Sequence, residues 1–187
     1  MRKKLRLRPA ELDDLDEIYE YRLDEEVMYW SAGARGDAFR SREELAEELR
    51  QNKSTANHRN YMIEVEEETG EWQSIGTISY RNLDLLVGNA ELGMLIGHRD
   101  YWGHGYGTEA MQQFLDLLFR RFNLRRVGLG THSDNKRAIR SYEKAGFVVE
   151  GVLRQAMYTL NGLRDHVMMG LLREEWEARV QPTPKYL

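Results

Sequence analysis

The chain has 187 residues, of which 31% are charged and 41% hydrophobic, with a formal net charge of −4 and no cysteine. This length fits one domain with one core, and the small net charge favours neither nucleic acid nor an anionic membrane as a partner. The lack of cysteine excludes disulfides, thiolate metal sites and an acyl-cysteine intermediate. With no leader and no apolar run of about 18 residues, we expect a cytoplasmic location.

Hydrophobic periodicity predicts strands and helices in the first half of the chain. A helix follows the first strand, with apolar residues at three- and four-residue steps from Leu12. Ser41 and Glu44 form a capping box, which predicts a second helix from about Arg42 to Asn52. Alternation predicts strands at Leu5–Arg8, Tyr61–Glu66, Ser74–Tyr80 and Asn89–Ile96. The last three of these strands suggest an antiparallel meander.

The second half begins with the most clearly amphipathic helix of the chain, Gly107–Phe122. A strand at Arg126–Thr131 follows, and then a helix that Asn135 caps and Gly146 ends. Two more strands are predicted at Phe147–Leu153 and His166–Leu172. The result is a mixed α/β sheet in one domain, residues 4–177, followed by a tail at residues 178–187.

The segment Tyr101–Ala110 places Gly103, Gly105 and Gly107 between a strand and the long helix. Such a loop offers bare backbone N–H groups at a helix N-terminus, which carries about half a positive charge and attracts phosphate. His104 could add a donor. The loop therefore predicts a ligand that carries a pyrophosphate.

Two other interpretations of this segment stay open, and a metal site that would include the residues just before it is not expected. Glycines can serve tight turns alone, because they adopt positive φ without strain. Residues 105–110 also match the dinucleotide-binding pattern, although Val127 stands where that fold needs an acidic residue. His98, Asp100 and His104 could meet in a loop, but they lack the spacing of a zinc site, and we predict no metal.

Two motifs together resemble a known family. The turn Trp102–Gly107 with Thr108-Glu109-Ala110, followed by Asn135, Ala138, Tyr142 and Gly146-Phe147, resembles the acetyl-CoA-binding core of the GNAT N-acetyltransferases. The similarity extends over about residues 4–177 and is greatest to the ribosomal-protein and spermidine acetyltransferase branches. Trp102 departs from the family, where glutamine or arginine is usual. The resemblance implies an α/β (α+β) GNAT fold: a mixed, mostly antiparallel sheet of about seven strands, with splayed central strands, flanked by about four helices.

The resemblance also implies acetyl-CoA as the cofactor and direct attack of an amine in a ternary complex. Tyr142 is then the general acid, unless it is only a packed tyrosine, and Glu91 is the candidate base, unless it is a solvated strand carboxylate. Asn135 contacts the pantetheine arm, although capping alone would explain it. The expected cofactor-binding residues are Met94, Leu95, Ile96, Gly103, His104, Gly105, Tyr106, Gly107, Thr108, Asn135 and Lys144.

The acceptor amine is less well defined by the sequence. Acidic residues along the first helix could attract a polyamine or a basic protein terminus, or could form a solvated face. The segment Met28–Phe39 lies where the family's substrate loop falls, so its aromatics are candidates for the acceptor pocket. A non-catalytic acetyl-CoA sensor is the alternative to an enzyme. The family resemblance also suggests a homodimer, with no membrane and no direct nucleic-acid contact.

Overall fold

A computed structural model describes residues 3–32, 41–51, 57–159 and 161–180 of the chain. Over these residues it contains seven strands and six α-helices. The strands are β1 (Leu5–Pro9), β2 (Arg59–Glu66), β3 (Trp72–Asp84), β4 (Asn89–Ile96), β5 (Arg126–His132), β6 (Val148–Thr159) and β7 (Gly162–Leu172). The helices are α1 (Leu15–Leu23), α2 (Glu25–Ala32), α3 (Arg42–Gln51), α4 (Tyr106–Arg121), α5 (Lys136–Ala145) and α6 (Arg173–Glu177).

The strands form one sheet in the order β1-β2-β3-β4-β5-β7-β6. Every neighbouring pair is antiparallel except β4 and β5, which run parallel. A parallel pair needs a crossover, and α4 supplies it. The predicted mixed, mostly antiparallel sheet of about seven strands is confirmed, whereas the expectation of about four helices was too low.

The two helices that the sequence analysis missed are α2 and α6. Helix α2 includes the start of the segment that we expected to be a substrate loop, and the remainder of that segment, residues 33–39, lies outside the described residues. The Asp24 carboxylate caps α2 by accepting hydrogen bonds from the Glu26 and Val27 N–H groups at 3.0 and 3.1 Å. That cap was a readable sequence signal. Helix α6 has only five residues, too few for periodicity to reveal.

Helix α4 is held by its apolar face. The described residues Ala110, Met111, Phe114, Leu115 and Leu118 are all fully buried, as the spacing predicted. Each large side chain of this kind stabilises the fold by about 1.5–3 kcal/mol. Because the helix is anchored along its length, its N-terminus lies at a fixed place beside the end of β4.

Strands β4 and β5 separate after a short paired stretch. The described strands pair at only three positions, of which the last is Glu91 with Gly128. Beyond it β4 continues along β3 as far as Ile96, and β5 continues along β7 as far as His132. The predicted splay is thus confirmed, and the backbone groups on the facing edges of the two strands need partners from elsewhere.

Candidate active site

A cavity of about 230 Å³ opens above the point where β4 and β5 separate. Four parts of the chain line it: the end of β4, the glycine loop, one face of α5 and one face of α2. The charged side chains that line it among the described residues are Arg137, Arg140 and Lys144, all cations. In a chain whose net charge is −4, a cavity lined only by cationic charges favours an anionic ligand.

The glycine loop has the backbone geometry of an anion-binding site. Gly103 and Gly105 have φ values of 77° and 83°, in the left-handed region that favours glycine. Gly105 is the N-cap of α4 and offers no side-chain acceptor, so the first N–H groups of the helix are available to a ligand. Gly107 lets α4 approach β4, since a Cβ there would lie 3.2 Å from Met94 Cε.

Most of the predicted cofactor-binding residues come together in this cavity. Two side chains of the loop do not. His104 is exposed and does not line the cavity, and Tyr106 is buried in the core, with its ring 5.7 Å from that of Tyr101. The side chains of these two residues therefore do not form part of the described cavity wall. The cavity-lining members of the predicted set are Met94, Leu95, Ile96, Gly103, Gly105, Gly107, Thr108, Asn135 and Lys144.

Asn135 joins the elements around the cavity. Its Oδ1 accepts the Ala138 N–H at 3.1 Å, which confirms the predicted cap of α5. Its Nδ2 donates to the Trp30 carbonyl oxygen at 2.7 Å, so the same side chain fixes α2 to α5. The Thr108 and Ser141 hydroxyls lie 2.8 Å apart and connect the start of α4 to α5. Polar contacts within the protein thus hold the walls of the cavity together, so a ligand is not needed to form them.

Tyr142 lines the cavity with a side chain that is only 8% exposed. Burial raises the pKa of its phenol to about 12, so the hydroxyl is protonated at neutral pH. Within the described part of the chain, its Oη makes no hydrogen bond. A protonated, unengaged hydroxyl on the wall of a cavity can donate to a ligand atom that becomes negative.

Glu91 is not brought into the cavity. It lies at the last β4–β5 pair, opposite Gly128, and its carboxylate accepts hydrogen bonds from Arg81 at 2.8 Å and Asn82 at 2.9 Å. The carboxylate is partly exposed, and Glu91 is not among the described residues that line the cavity. Any role in removing a proton therefore requires a water molecule between Glu91 and the amine.

The sequence analysis missed several residues of the lining. Arg137, Arg140, Ser141 and Lys144 share one face of α5, at helical spacing, and that periodicity could have identified the first three from the predicted Lys144. Trp30, an aromatic of the segment that we expected at the acceptor pocket, lines this cavity. The neighbouring Tyr29 instead borders a second, shallow pocket of about 290 Å³ with Glu25, Glu26 and Asn161.

His132 lies behind Trp30, at the end of β5. Its ring stacks on the Trp30 ring at 5.7 Å and lies 5.4 Å from the Tyr29 ring, and the residue is 1% exposed. Neither ring nitrogen makes a well-aligned hydrogen bond with a described residue, although the Tyr29 backbone lies close enough to favour the protonated ring. Burial lowers the pKa of His132, so the ring is kept neutral.

Neither a metal centre nor a membrane span is found among the described residues. No three of their His, Asp and Glu side chains converge as metal ligands would, and His98 instead contacts Glu17 at 3.1 Å. No helix in the same part of the chain is both long and apolar enough to cross a membrane.

The family follows from a comparison with known proteins. The acetyltransferase (GNAT) domain family matches residues 4–148, more than three quarters of the chain. The chain belongs to this family. It is accordingly an acetyl-CoA-dependent N-acetyltransferase, and the interpretations as a dinucleotide-binding protein or a non-catalytic sensor are set aside.

Several curated relatives extend the comparison. An uncharacterized N-acetyltransferase, p20 of Bacillus licheniformis, is 30% identical over 93% of this chain and 96% of its own length. A putative ribosomal N-acetyltransferase, YdaF of Bacillus subtilis, is 34% identical over about half of each chain, 55% and 56%. The spermidine N(1)-acetyltransferase of Escherichia coli K12 is 25% identical over 93% of this chain and 89% of its own length. Both branches suggested by the motifs are represented.

A solved structure confirms the fold. The spermidine N-acetyltransferase of Vibrio cholerae, in a complex with CoA and spermine, superposes with a TM-score of 0.83. The match covers 92% of this chain and 97% of that chain, at 23% identity.

Proposed function

We propose that this enzyme acetylates a primary amine of a small polycation of the polyamine class. The observation that carries the proposal is the position of α2 between two different surfaces. Its residues Val27, Trp30 and Ser31 line the cationic cavity, whereas Glu25 and Glu26 border the shallow pocket beside it. An anionic cofactor in the cavity and a cationic acceptor in the shallow pocket would thus approach each other from the two sides of α2. The full-length similarity to a spermidine acetyltransferase supports the same class of acceptor.

The groups around the cavity suit a coenzyme A thioester, which supplies an acetyl group activated for attack. The first N–H groups of α4 and the cations of α5 would hold its phosphates. The edge of β4 at Met94–Ile96, where pairing with β5 has ended, would pair with the amide groups of its pantetheine arm as an added strand would, apart from the Ile96 carbonyl, which accepts the Trp102 indole N–H. Backbone N–H groups on this edge would also polarise the thioester carbonyl.

In the proposed transfer, the amine nitrogen forms a bond to the acetyl carbon and the carbon–sulfur bond breaks. The hydroxyl of Tyr142, which is protonated on a residue of the cavity wall, donates its proton toward the departing thiolate. The amine loses its own proton to water, with Glu91 as the carboxylate that can receive it through a water chain. With no cysteine in the sequence, direct attack in a ternary complex is favoured over an acyl-enzyme.

The acceptor can be tested with a panel of amines at saturating acetyl-CoA. Spermidine, spermine, free amino acids and N-terminal peptides of ribosomal proteins would be compared by the rate of CoA release. We expect kcat/KM to be highest for a polyamine. A ribosomal peptide with a higher kcat/KM than every polyamine would refute this acceptor class and favour the function of the ribosomal relative.

A pair of variants tests the acidic pocket separately. Glu25→Gln should raise KM for spermidine several-fold, because one carboxylate near a cation is lost, while KM for acetyl-CoA stays unchanged. Glu43→Gln, on α3, makes the same chemical change away from both pockets and serves as the control. Equal effects of the two substitutions on KM for spermidine would show that the shallow pocket does not bind the acceptor.

We also propose that the enzyme acts in the cytoplasm, where acetyl-CoA is available. A second proposal is that two copies associate through the β6–β7 hairpin. Strand β6 is an edge strand of the described sheet. Large apolar side chains on this hairpin are 44–63% exposed, which is typical of an association surface. These side chains are Val148, Val149, Val152, Leu153, Tyr158 and Leu163. Sedimentation of the wild type and of Val152→Lys tests the dimer: a monomeric wild type would contradict it.

A further inference from the structure

Arg137 is a cavity-lining cation without a partner in the described part of the protein. It lies in the first turn of α5 and makes no hydrogen bond or ion pair with a described residue. Glu26 acts on it only at long range, and that carboxylate is already hydrogen-bonded to Arg99 at 2.8 Å. A guanidinium that lines a cavity without an anionic partner is able to bind an anion from the ligand.

The Arg137 side chain is nevertheless held in place by aromatic stacking. Its guanidinium carbon lies 3.9 Å from the centre of the Trp102 ring and 5.9 Å from the centre of the Trp30 ring. Trp102 is itself fixed, because its indole N–H donates to the Ile96 carbonyl oxygen at 2.8 Å. Stacking occupies the faces of a guanidinium and leaves its N–H donors, which point outward in the plane, available for hydrogen bonds.

The position of Arg137 in its helix supports the same conclusion. A cation in the first turn faces the positive end of the helix, which is unfavourable without an anion nearby. Helix α5 has Lys136 and Arg137 in its first turn and no acidic residue there, whereas the other described α-helices each have at least one. The start of α5 and the start of α4 thus present positive potential to one cavity.

We propose that Arg137, positioned by Trp102, binds a phosphate of acetyl-CoA, and that this phosphate belongs to the diphosphate. The diphosphate is favoured because Trp102 directly precedes Gly103, Gly105 and Gly107, which line the same cavity as Arg137. The proposal depends on this cavity being the acetyl-CoA site. Trp102 then acts as a positioning residue and Arg137 as a binding residue.

Calorimetric titration with acetyl-CoA tests the role of Arg137. Arg137→Gln should raise Kd by about 10- to 100-fold, the range for a lost charge-assisted hydrogen bond, and should weaken the dependence of Kd on salt. Lys136 lies in the same helical turn but is not among the described residues that line the cavity. Lys136→Gln should therefore remove a charge and leave Kd unchanged.

Two further comparisons assign the phosphate and the role of Trp102. With 3′-dephospho-acetyl-CoA, Arg137→Gln should show the same fold-loss; a loss seen only with the complete cofactor would overturn the diphosphate assignment in favour of the 3′-phosphate. Trp102→Leu should weaken binding, and its effect should be less than additive with Arg137→Gln. Fully additive effects would refute the positioning role of Trp102.

The possible failures are distinguishable. Suppose that the wild type binds acetyl-CoA and that Arg137→Gln, with an unchanged thermal melt, binds it equally well. The proposed role of Arg137 would then be refuted, whereas the proposed function would stand. No binding by the wild type would overturn the assignment of the cavity itself.

Discussion

Replacing Tyr142 by phenylalanine removes one oxygen atom from the cavity wall, and we expect turnover to fall while the fold persists. Because the hydroxyl has no partner among the described residues, its loss leaves no protein group unpaired. The free energy of unfolding should therefore change by less than about 1 kcal/mol. A positioned proton donor contributes typically about 10²–10⁴-fold to the rate, so kcat should fall by that factor. KM for acetyl-CoA should change by less than about twofold.

The pH dependence gives an independent check on the same residue. With its pKa raised to about 12, Tyr142 is only about 0.1% ionised at pH 9. The wild-type rate should therefore rise with pH as the acceptor amine loses its proton, with no fall below pH 9 that comes from the phenol. Tyr142→Phe should show a profile of the same shape at a lower rate.

The assay for Tyr142→Phe is direct, because a thiol reagent reports released CoA and the chain has no cysteine to react with it. Tyr158→Phe is the matched control, since Tyr158 is 63% exposed on β6. A kcat for Tyr142→Phe within about threefold of the wild type, on an amine that the wild type acetylates well, would refute the acid role.

Three further predictions concern proton acceptance, stability and the loop. Glu91→Gln should lower kcat/KM and shift its pH dependence on the alkaline side; an unchanged profile would exclude Glu91 as the base. His132→Phe should stabilise the fold by about 1–3 kcal/mol in urea unfolding at pH 7, because neither buried ring nitrogen makes a well-aligned hydrogen bond with a described residue. Burial lowers the pKa of His132, so below about pH 6.5 the unfolded chain binds more protons than the folded chain, and the stability of the wild type falls. The stabilisation by His132→Phe should therefore be larger at pH 5 than at pH 7. An equal gain at both pH values would contradict this. Gly105→Ala should cost about 1–2 kcal/mol and weaken acetyl-CoA binding, because its φ is 83°. Gly151→Ala, with open space around it, is the control, and a similar cost at both positions would argue against strain.

Local sequence signals predicted most of the described residues that line the cavity. The three alternating glycines predicted a loop with exposed amides, and Asn135 predicted the cap of α5, because glycine conformation and capping depend on residues close in the chain. The same locality explains the failures. Whether Glu91 reaches the cavity depends on Arg81 and Asn82 across a strand pair, and these partners hold its carboxylate outside the lining. His104 lies in the loop, but it is exposed and is not among the described residues that line the cavity.

Taken by itself, the sequence determined the seven described strands, four of the six described α-helices, the order of these elements, and the family, because hydrophobic periodicity and glycine positions act over a few residues. Only the tertiary structure decided where β4 and β5 separate, that β6 and β7 extend into a long hairpin, and that Arg137 stacks on Trp102. Each of these depends on contacts between residues far apart in the chain. The cationic cavity arises in this way: α4, α5 and β4 come together only when the core has packed, and their separate positive ends and side chains then face one space.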